Sequence, residues 1–355
     1  MNGSASIRDV AATVGMSLGT VSGVLNGKVG FADETRKTIW NAANAMGYSP
    51  SPHARKLRAG NGGRARVKTG IVIHITHLGE EDAEQDRFEA MRSLMLIKEA
   101  ARLGLYPITY RYRHLSGFQC PPVLNGHVDG AIVGTPHPEV VDALRGKIPT
   151  VLMDVPFTPG LNDGIPMVNT DLRMGFDLLF ERLHALGHRR IATFTARDPG
   201  EGVWGEEQVA EILASAAARH GLVLSEENRL SARITPKTHE KVMAQAAPFF
   251  ANCVRERGVT ALVFPNHYYV NSLLPLLRTM GFRVPSDVSL AALYVGVFSP
   301  ESDCCAVTYV WKDLLSTSVN VLSGLIDGRD ALACREYLVR PEFFPGTTLD
   351  VAPRT

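Results

Sequence analysis

The sequence predicts an α/β protein: a small all-α head containing a helix-turn-helix, followed by a larger two-lobed body of doubly wound parallel sheets. Three observations carry that expectation. Residues 6–46 hold apolar side chains at helical spacing, broken by the turn Gly15-Met16-Ser17 and again by the loop Gly27-Lys28-Val29-Gly30. From Thr69 onward, short β-branched runs alternate with amphipathic helical stretches, the pattern of a parallel sheet with helical crossovers. The charge is also uneven: residues 1–68 carry ten Lys or Arg against three acids, a net +7, and the remainder carries −6. A basic head on a mildly acidic body fits a polyanion-binding module joined to a sensor or an enzyme.

Ser6 precedes Ile7, Val10, Ala11 and Val14, and Asp9 stands three residues after it, as in a capping box. Gly15-Met16-Ser17 ends this first helix, and Ser17 can cap a second one that buries Val21, Val24 and Leu25. Two short helices joined by so tight a turn form a DNA-reading pair. The second helix is then expected to present Leu18, Gly19, Thr20, Ser22 and Gly23 outward near its N-terminus. Asp33-Glu34 opens a third helix with acids at the positive end of its dipole; Ile39, Ala43 and Met46 line its buried side, and Gly47 stops it. Tyr48 to Pro52 is extended because residues before proline avoid the helical region. A helical turn or two is expected at 53–58, and the Gly-rich basic stretch 59–68 reads as a linker.

In the body, strands are expected at 70–75, 106–110, 130–133, 150–153, 190–195, 261–264 and 289–294. Helices are expected at 88–103, 138–145, 172–186, 206–220, 237–257, 270–281 and 313–328. About 287 residues suit two lobes with a cleft at the strand ends. The five cysteines (Cys120, Cys253, Cys304, Cys305, Cys334) include no C-x-x-C pair and form an odd set. They argue for a reducing compartment and against a disulfide or zinc framework. With no apolar leader and no membrane-spanning run, the expectation is a cytoplasmic protein without a membrane partner. No catalytic site, metal site or cofactor is expected.

Head and body together resemble the LacI/GalR family of bacterial transcription regulators. The resemblance rests on Ser6-Ile7-Arg8-Asp9-Val10-Ala11, Gly15-Met16-Ser17, Thr20-Val21-Ser22, Val24-Leu25-Asn26, Thr35-Arg36, Gly47-Tyr48, Pro50, Ala54-Arg55 and Leu57-Arg58. In the body it rests on Val128-Asp129-Gly130, Leu186-Gly187-His188-Arg189-Arg190-Ile191-Ala192, Val284 to Ser289 and Val307-Thr308. It implies a helix-turn-helix domain at 1–58 with a hinge helix at about 52–58, a linker at 59–68, and a periplasmic-binding-protein-like body at 69–355. The N-lobe would comprise about 69–167 and 312–335, the C-lobe about 168–311 and 336–349. It further implies a homodimer on a palindromic double-stranded DNA operator, repressing transcription under the control of a small effector in the cleft. Residues 18–23 would meet base edges, Ser17, Asn26, Thr35 and Arg36 would hold phosphates, and Ser6 and Ile7 belong to the same DNA-binding set. Leu57 would wedge open a base step in the minor groove, with Ala54 beside it and Arg55 and Arg58 at the backbone.

The chain departs from that pattern in places. Gly23 stands where the family usually has a basic residue that contacts a base, and Ser51 where it favours Asn. In the cleft, no Arg or Lys lies between Arg197 and Arg219, where sugar-binding members place an Arg; Asn266-His267 replaces Asn-Asp; Tyr294 replaces an acid; and Leu172 stands where Asn is common. Aromatic residues gather at the same strand ends: Trp204, Tyr268, Tyr269, Tyr294 and Trp311. The effector set is therefore taken as His77, Asp154, Trp204, Asn266, Tyr268, Tyr294 and Trp311, for a sugar or related metabolite.

Two strings suggest catalysis. Gly15 to Gly19 spells G-x-S-x-G, but a helix precedes it rather than the strand a nucleophile elbow needs. Gly200 to Gly205 spells G-x-G-x-x-G between a strand and a helix, yet Ala196 to Pro199 separate it from the strand end. The alternatives to a regulator are thus an α/β nucleotide-binding enzyme with a DNA-binding appendage, and a regulator that has lost its effector.

Overall fold

The computed structural model describes residues 6–25, 30–46, 48, 68–77, 83–112, 118, 120, 123, 126–134, 137–154, 164–197, 206–234, 238–265, 267–293, 304–329 and 336–353, without the side chains of 44, 77, 83–88, 196–197, 206–208 and 267–268. The chain divides into two compact units, Met1–Lys68 and Thr69–Thr355.

The first unit holds α1 (Ile7–Val14), α2 (Leu18–Leu25) and α3 (Asp33–Ala45). Ser6 caps α1 in a full capping box: its hydroxyl oxygen accepts from the Asp9 amide, and the Asp9 carboxylate accepts from the Ser6 amide at 2.7 Å. The Ser6 hydroxyl, which donates to Asp9 Oδ2 at 2.7 Å, and then the Ser6 amide hold the Asp9 carboxyl below its ordinary range. Gly15 ends the helix at φ 64, a left-handed backbone that favours glycine. Val10, Ala11, Val21, Val24, Leu25, Ile39 and Ala43 form the core, with Ile7, Val14, Met16, Phe31, Met46 and Tyr48 packed around it. Each fully buried Val, Leu or Ile contributes about 1.5–3 kcal/mol, so three short helices suffice only because every one buries its stripe.

The second unit is built on two six-stranded sheets. In chain order its elements are β1 (Ile71–His77), α4 (Ala83–Ala101), β2 (Tyr106–Tyr112), β3 (Gly130–Gly134), α5 (Pro138–Leu144), β4 (Thr150–Met153), β5 (Met167–Thr170) and α6 (Leu172–Ala185). Then come β6 (Ile191–Arg197), α7 (Glu206–Arg219), β7 (Arg229–Arg233), α8 (His239–Arg257), β8 (Ala261–Phe264), α9 (His267–Thr279), β9 (Ser289–Leu293), β10 (Cys305–Thr308), α10 (Trp311–Ile326), β11 (Glu336–Val339) and β12 (Glu342–Phe344). The first sheet runs β11-β5-β4-β3-β1-β2, all parallel; the second runs β12-β10-β9-β8-β6-β7, parallel except for β12. In each, the order reverses beside the first strand, so a crevice opens at the carboxyl ends next to β1 and β6.

Alternation along β1 sorts the layers. Ile73 and Ile75 face one core with Val133, Val140 and Leu144, while Val72 faces another with Leu96, Leu314 and Leu322. The second sheet repeats this: Phe194 packs with Phe250 and Phe264, and Ile191 with Phe176 and Phe180. The family landmarks prove to be fasteners. Asp129 accepts from the Thr69 and Gly70 amides at 2.6 and 2.7 Å, fixing the entry to β1. His188 is fully buried, bonded to the Thr260 hydroxyl at 2.9 Å and the Asp350 carbonyl at 3.0 Å, which ties the end of the chain to the second lobe.

The lobe boundaries differ from expectation. β11 pairs with β5 in the first sheet, so 168–170 and 336–339 belong to the N-lobe rather than the C-lobe. The three crossings lie at 171, 309–310 and 340–341, all at carboxyl strand edges. The first lies beside the expected break at 167/168, and the last follows β11 because that strand's backbone is satisfied only by β5. Cys120, Cys253, Cys304 and Cys305 are buried free thiols, and burial pushes Cys304 and Cys305 up to about 12, which keeps them protonated and unreactive. Cys334 lies outside the described residues.

Candidate nucleic-acid interface and effector cleft

In the head, the Ser17 hydroxyl accepts from the Thr20 amide at 3.1 Å and lies 2.9 Å from the Thr20 hydroxyl, which closes the first turn of α2. Leu18 and Gly19 are exposed, Thr20 and Ser22 half-buried, as are Thr35 and Arg36 at the start of α3. Ser6 is exposed beside a half-buried Ile7. Gly23 corrects the expectation: it is buried, not outward. A Cβ built on it would lie 2.6 Å from Phe31 Cζ, so the Phe31 ring sits directly on its backbone. The Phe31 carbonyl in turn accepts from Arg36 Nε at 3.3 Å. Asn26, Ala54, Arg55, Leu57 and Arg58 lie outside the described residues.

In the body, the carboxyl edge of the first sheet carries a buried polar cluster. Arg92 and Glu89 lie one turn apart on α4, both almost fully buried, and Arg92 Nη2 donates to Glu89 Oε1 and Oε2 at 2.7 and 2.8 Å and to Thr76 Oγ1 at 3.1 Å. The guanidinium also lies 5.8 Å over the Trp311 ring, an added cation–π attraction. It fits because position 134 is glycine: a Cβ there would stand 2.8 Å from Arg92 Nη2. Tyr309 packs beside Trp311, ring centroids 5.8 Å apart.

Asp154 follows β4 at φ 55, a left-handed conformation uncommon outside glycine and often found at functional sites. Burial pushes its carboxyl up to about 6; Arg92 opposes the rise and Glu89 adds to it. Burial and the Asp154 charge together raise the Tyr309 phenol. His74, on the same face of β1, is held neutral, pushed down to about 3 by burial and by Arg92. The cluster thus offers one carboxyl that can either accept or donate near neutrality, backed by an ion pair that is already satisfied.

Of the expected effector residues, Asp154 and Trp311 are brought together here. Trp311 requires correction: at 2% exposure its ring belongs to the core beneath the cluster and offers no open stacking face. Tyr269 is also core, stacked on His239 at 6.1 Å and tilted against Phe194 at 4.9 Å. His77 ends β1 and Tyr268 lies in the first turn of α9, but their side chains are outside the described set, as are Trp204, Asn266 and Tyr294 altogether. The sequence reading missed Glu89, Arg92, Tyr309 and Phe31. The one available signal was the charged pair Glu89 and Arg92 at i,i+3, which reads equally well as a solvated helix face.

Residues 6–51 match the family described as bacterial regulatory proteins, lacI family, and residues 180–349 match the periplasmic binding protein-like domain. The HTH-type transcriptional repressor PurR of Erwinia tasmaniensis is 27% identical over 295 residues, 81% of this chain and 79% of that protein. The HTH-type transcriptional regulator IpsA of Corynebacterium glutamicum is 28% identical over 198 residues, 54% of this chain and about half (52%) of its own length. Among solved structures, the Lac repressor dimer bound to operator and the anti-inducer ONPF superposes with a TM-score of 0.68 at 19% identity, covering 98% of this chain and 99% of that one. Among the described residues, no helix is long and apolar enough to cross a membrane.

Proposed function

The chain belongs to the LacI family of bacterial regulatory proteins, which are DNA-binding transcription regulators, and from that premise we propose a dimeric repressor acting on a palindromic operator in the cytoplasm, with no catalytic step of its own. The observation that carries this reading is the capped α1–α2 pair, whose second helix leaves Leu18 and Gly19 bare in a basic head. In the proposed complex α2 enters the major groove; Leu18, Gly19, Thr20 and Ser22 face base edges, with Ser6 and Ile7 beside them. Ser17, Asn26, Thr35 and Arg36 hold phosphates, and Ala54, Arg55, Leu57 and Arg58 take the minor groove at the operator centre. Gly23 leaves the base-reading set because Phe31 covers it.

The second subunit would dock along α4 and the edge strand β2. Leu94, Ile97, Tyr106 and Ile108 are 60%, 46%, 67% and 42% exposed there, on a sheet edge that monomeric proteins usually protect. α4 also carries Glu89 and Arg92 on its opposite side. A contact on its outer face would therefore be linked to the effector cleft through one rigid helix.

The effector is proposed to enter at the carboxyl edges where the three crossings run, and to place a hydroxyl on Asp154, as a sugar or related polyol would. His77, Trp204, Asn266, Tyr268 and Tyr294 remain the proposed partners for the rest of the ligand. Effector binding would change the angle between lobes and so operator affinity; by linkage, operator binding changes effector affinity by the same factor. The test is titration of a selected operator by the full-length protein while metabolites are screened by thermal shift. A compound that raises the melting temperature must also change operator affinity, and Asp154→Asn must weaken its effect. Stabilisation without any change in DNA binding would defeat the effector reading.

A further inference from the structure

Resting on the DNA-binding reading, we propose that Phe31 is a base-reading residue: seated on Gly23 at the flank of α2, its ring contacts the C5-methyl of a thymine in each operator half-site. Gly19 and Gly23 lie one turn apart on the same side of α2, so that strip of the helix carries no side chains of its own. At Gly19 the strip is open, since a Cβ there would meet only Ser17 Oγ at 3.7 Å. At Gly23 it is covered, with Phe31 Cζ and Cε2 2.6 and 2.8 Å from the Cβ position. The two glycines do different things: one lets a base pair approach the backbone, and the other lets an aromatic ring lie beside it.

Phe31 packs against the described buried core of the head but is itself only half-buried. Its backbone is held by Arg36, which places the loop before α3 against α2. A half-buried aromatic residue seated on the C-terminal half of α2, one turn beyond the open Gly19, presents carbon where a polar reader would present hydrogen bonds. In the major groove, thymine alone offers a methyl group, and an apolar side chain is what recognises it. Specificity at that position is thus A·T over G·C through an apolar contact, with no bidentate pair.

The experiment uses the full-length protein. Operators are first selected from random DNA; each thymine of the consensus is then replaced in turn by deoxyuridine, which removes only the methyl. One symmetry-related pair of positions should weaken binding by about 15-fold when both are replaced, or about 4-fold for each buried methyl lost. Phe31→Ala should bind the thymine and uracil operators equally while keeping its nonspecific affinity, and Phe31→Leu should keep a reduced preference. The proposal is overturned if no thymine shows methyl dependence, or if the dependence survives in Phe31→Ala, which would assign it to Leu18. It is also overturned if Phe31→Ala loses specific and nonspecific DNA in equal measure. Should Phe31→Ala fail to fold, the deoxyuridine scan and Phe31→Leu still decide. Failure to select any sequence would instead sink the DNA-binding reading itself.

Discussion

Asp154 closes β4 with a left-handed backbone and a carboxyl that burial pushes up to about 6. Its place after the Val151–Met153 run marks a strand end, but its pKa is raised by burial and by Glu89 against the opposing charge of Arg92, both more than sixty residues earlier. A carboxyl raised in the folded state favours folding while protonated, and that advantage fades as pH rises from about 4 through about 6. Asp154→Asn should therefore leave stability near pH 4 almost unchanged and gain about 3 kcal/mol above pH 7, at 1.36 kcal/mol per unit. Urea midpoints of both proteins across that range check this; parallel curves would contradict it. The Glu89–Arg92 pair makes a second residue-scale prediction. Removing one partner strands a buried charge, so Arg92→Leu should cost about 3–5 kcal/mol, whereas Glu89→Leu with Arg92→Leu should cost much less. Equal losses in the single and double variants would refute the coupling. Gly23 and Phe31 belong to the same lesson: a glycine's neighbour eight positions on is a tertiary fact with no local sequence mark.

At the scale of elements, the sequence was most readable where the signal is local. The capping box at Ser6 and Asp9, the turn at Gly15 and the caps around α2 all stand where spacing placed them. Ser6→Ala should cost about 1 kcal/mol of stability in the head. The loss should appear as faster amide exchange in α1, with the body unaffected; uniform exchange would mean the cap is idle. The long helices and buried strands of the body were equally plain, because hydrophobic runs such as Ala261–Phe264 are continuous. What escaped were β5, β7, β10, β11 and β12, each three to five residues long. β7, β11 and β12 are half-exposed and lie at the sheet edges, and β5 ends in Asn169 and Thr170. Such strands owe their existence to a partner's hydrogen bonds rather than to their own pattern.

For the whole molecule, two lobes were legible from alternation, but the chain's three crossings were not, since β11 returns to the first sheet 165 residues or more after its partner β5. That weaving joins the lobes by three connectors, and Tyr309 and Trp311 on one of them meet the Arg92 cluster. A dimer through α4 and β2 would link this cluster to the partner subunit, so Leu94→Glu with Ile97→Glu should yield a folded monomer by sedimentation. Its operator affinity should fall by at least 100-fold while its nonspecific affinity falls little; an unchanged dimer would place the contact elsewhere. The most direct test of the central claim is selection of binding sites from random DNA by the full-length protein. The account predicts a two-fold symmetric motif with an A·T-rich half-site position, lost in Leu18→Ala. An asymmetric motif, or none, would contradict it.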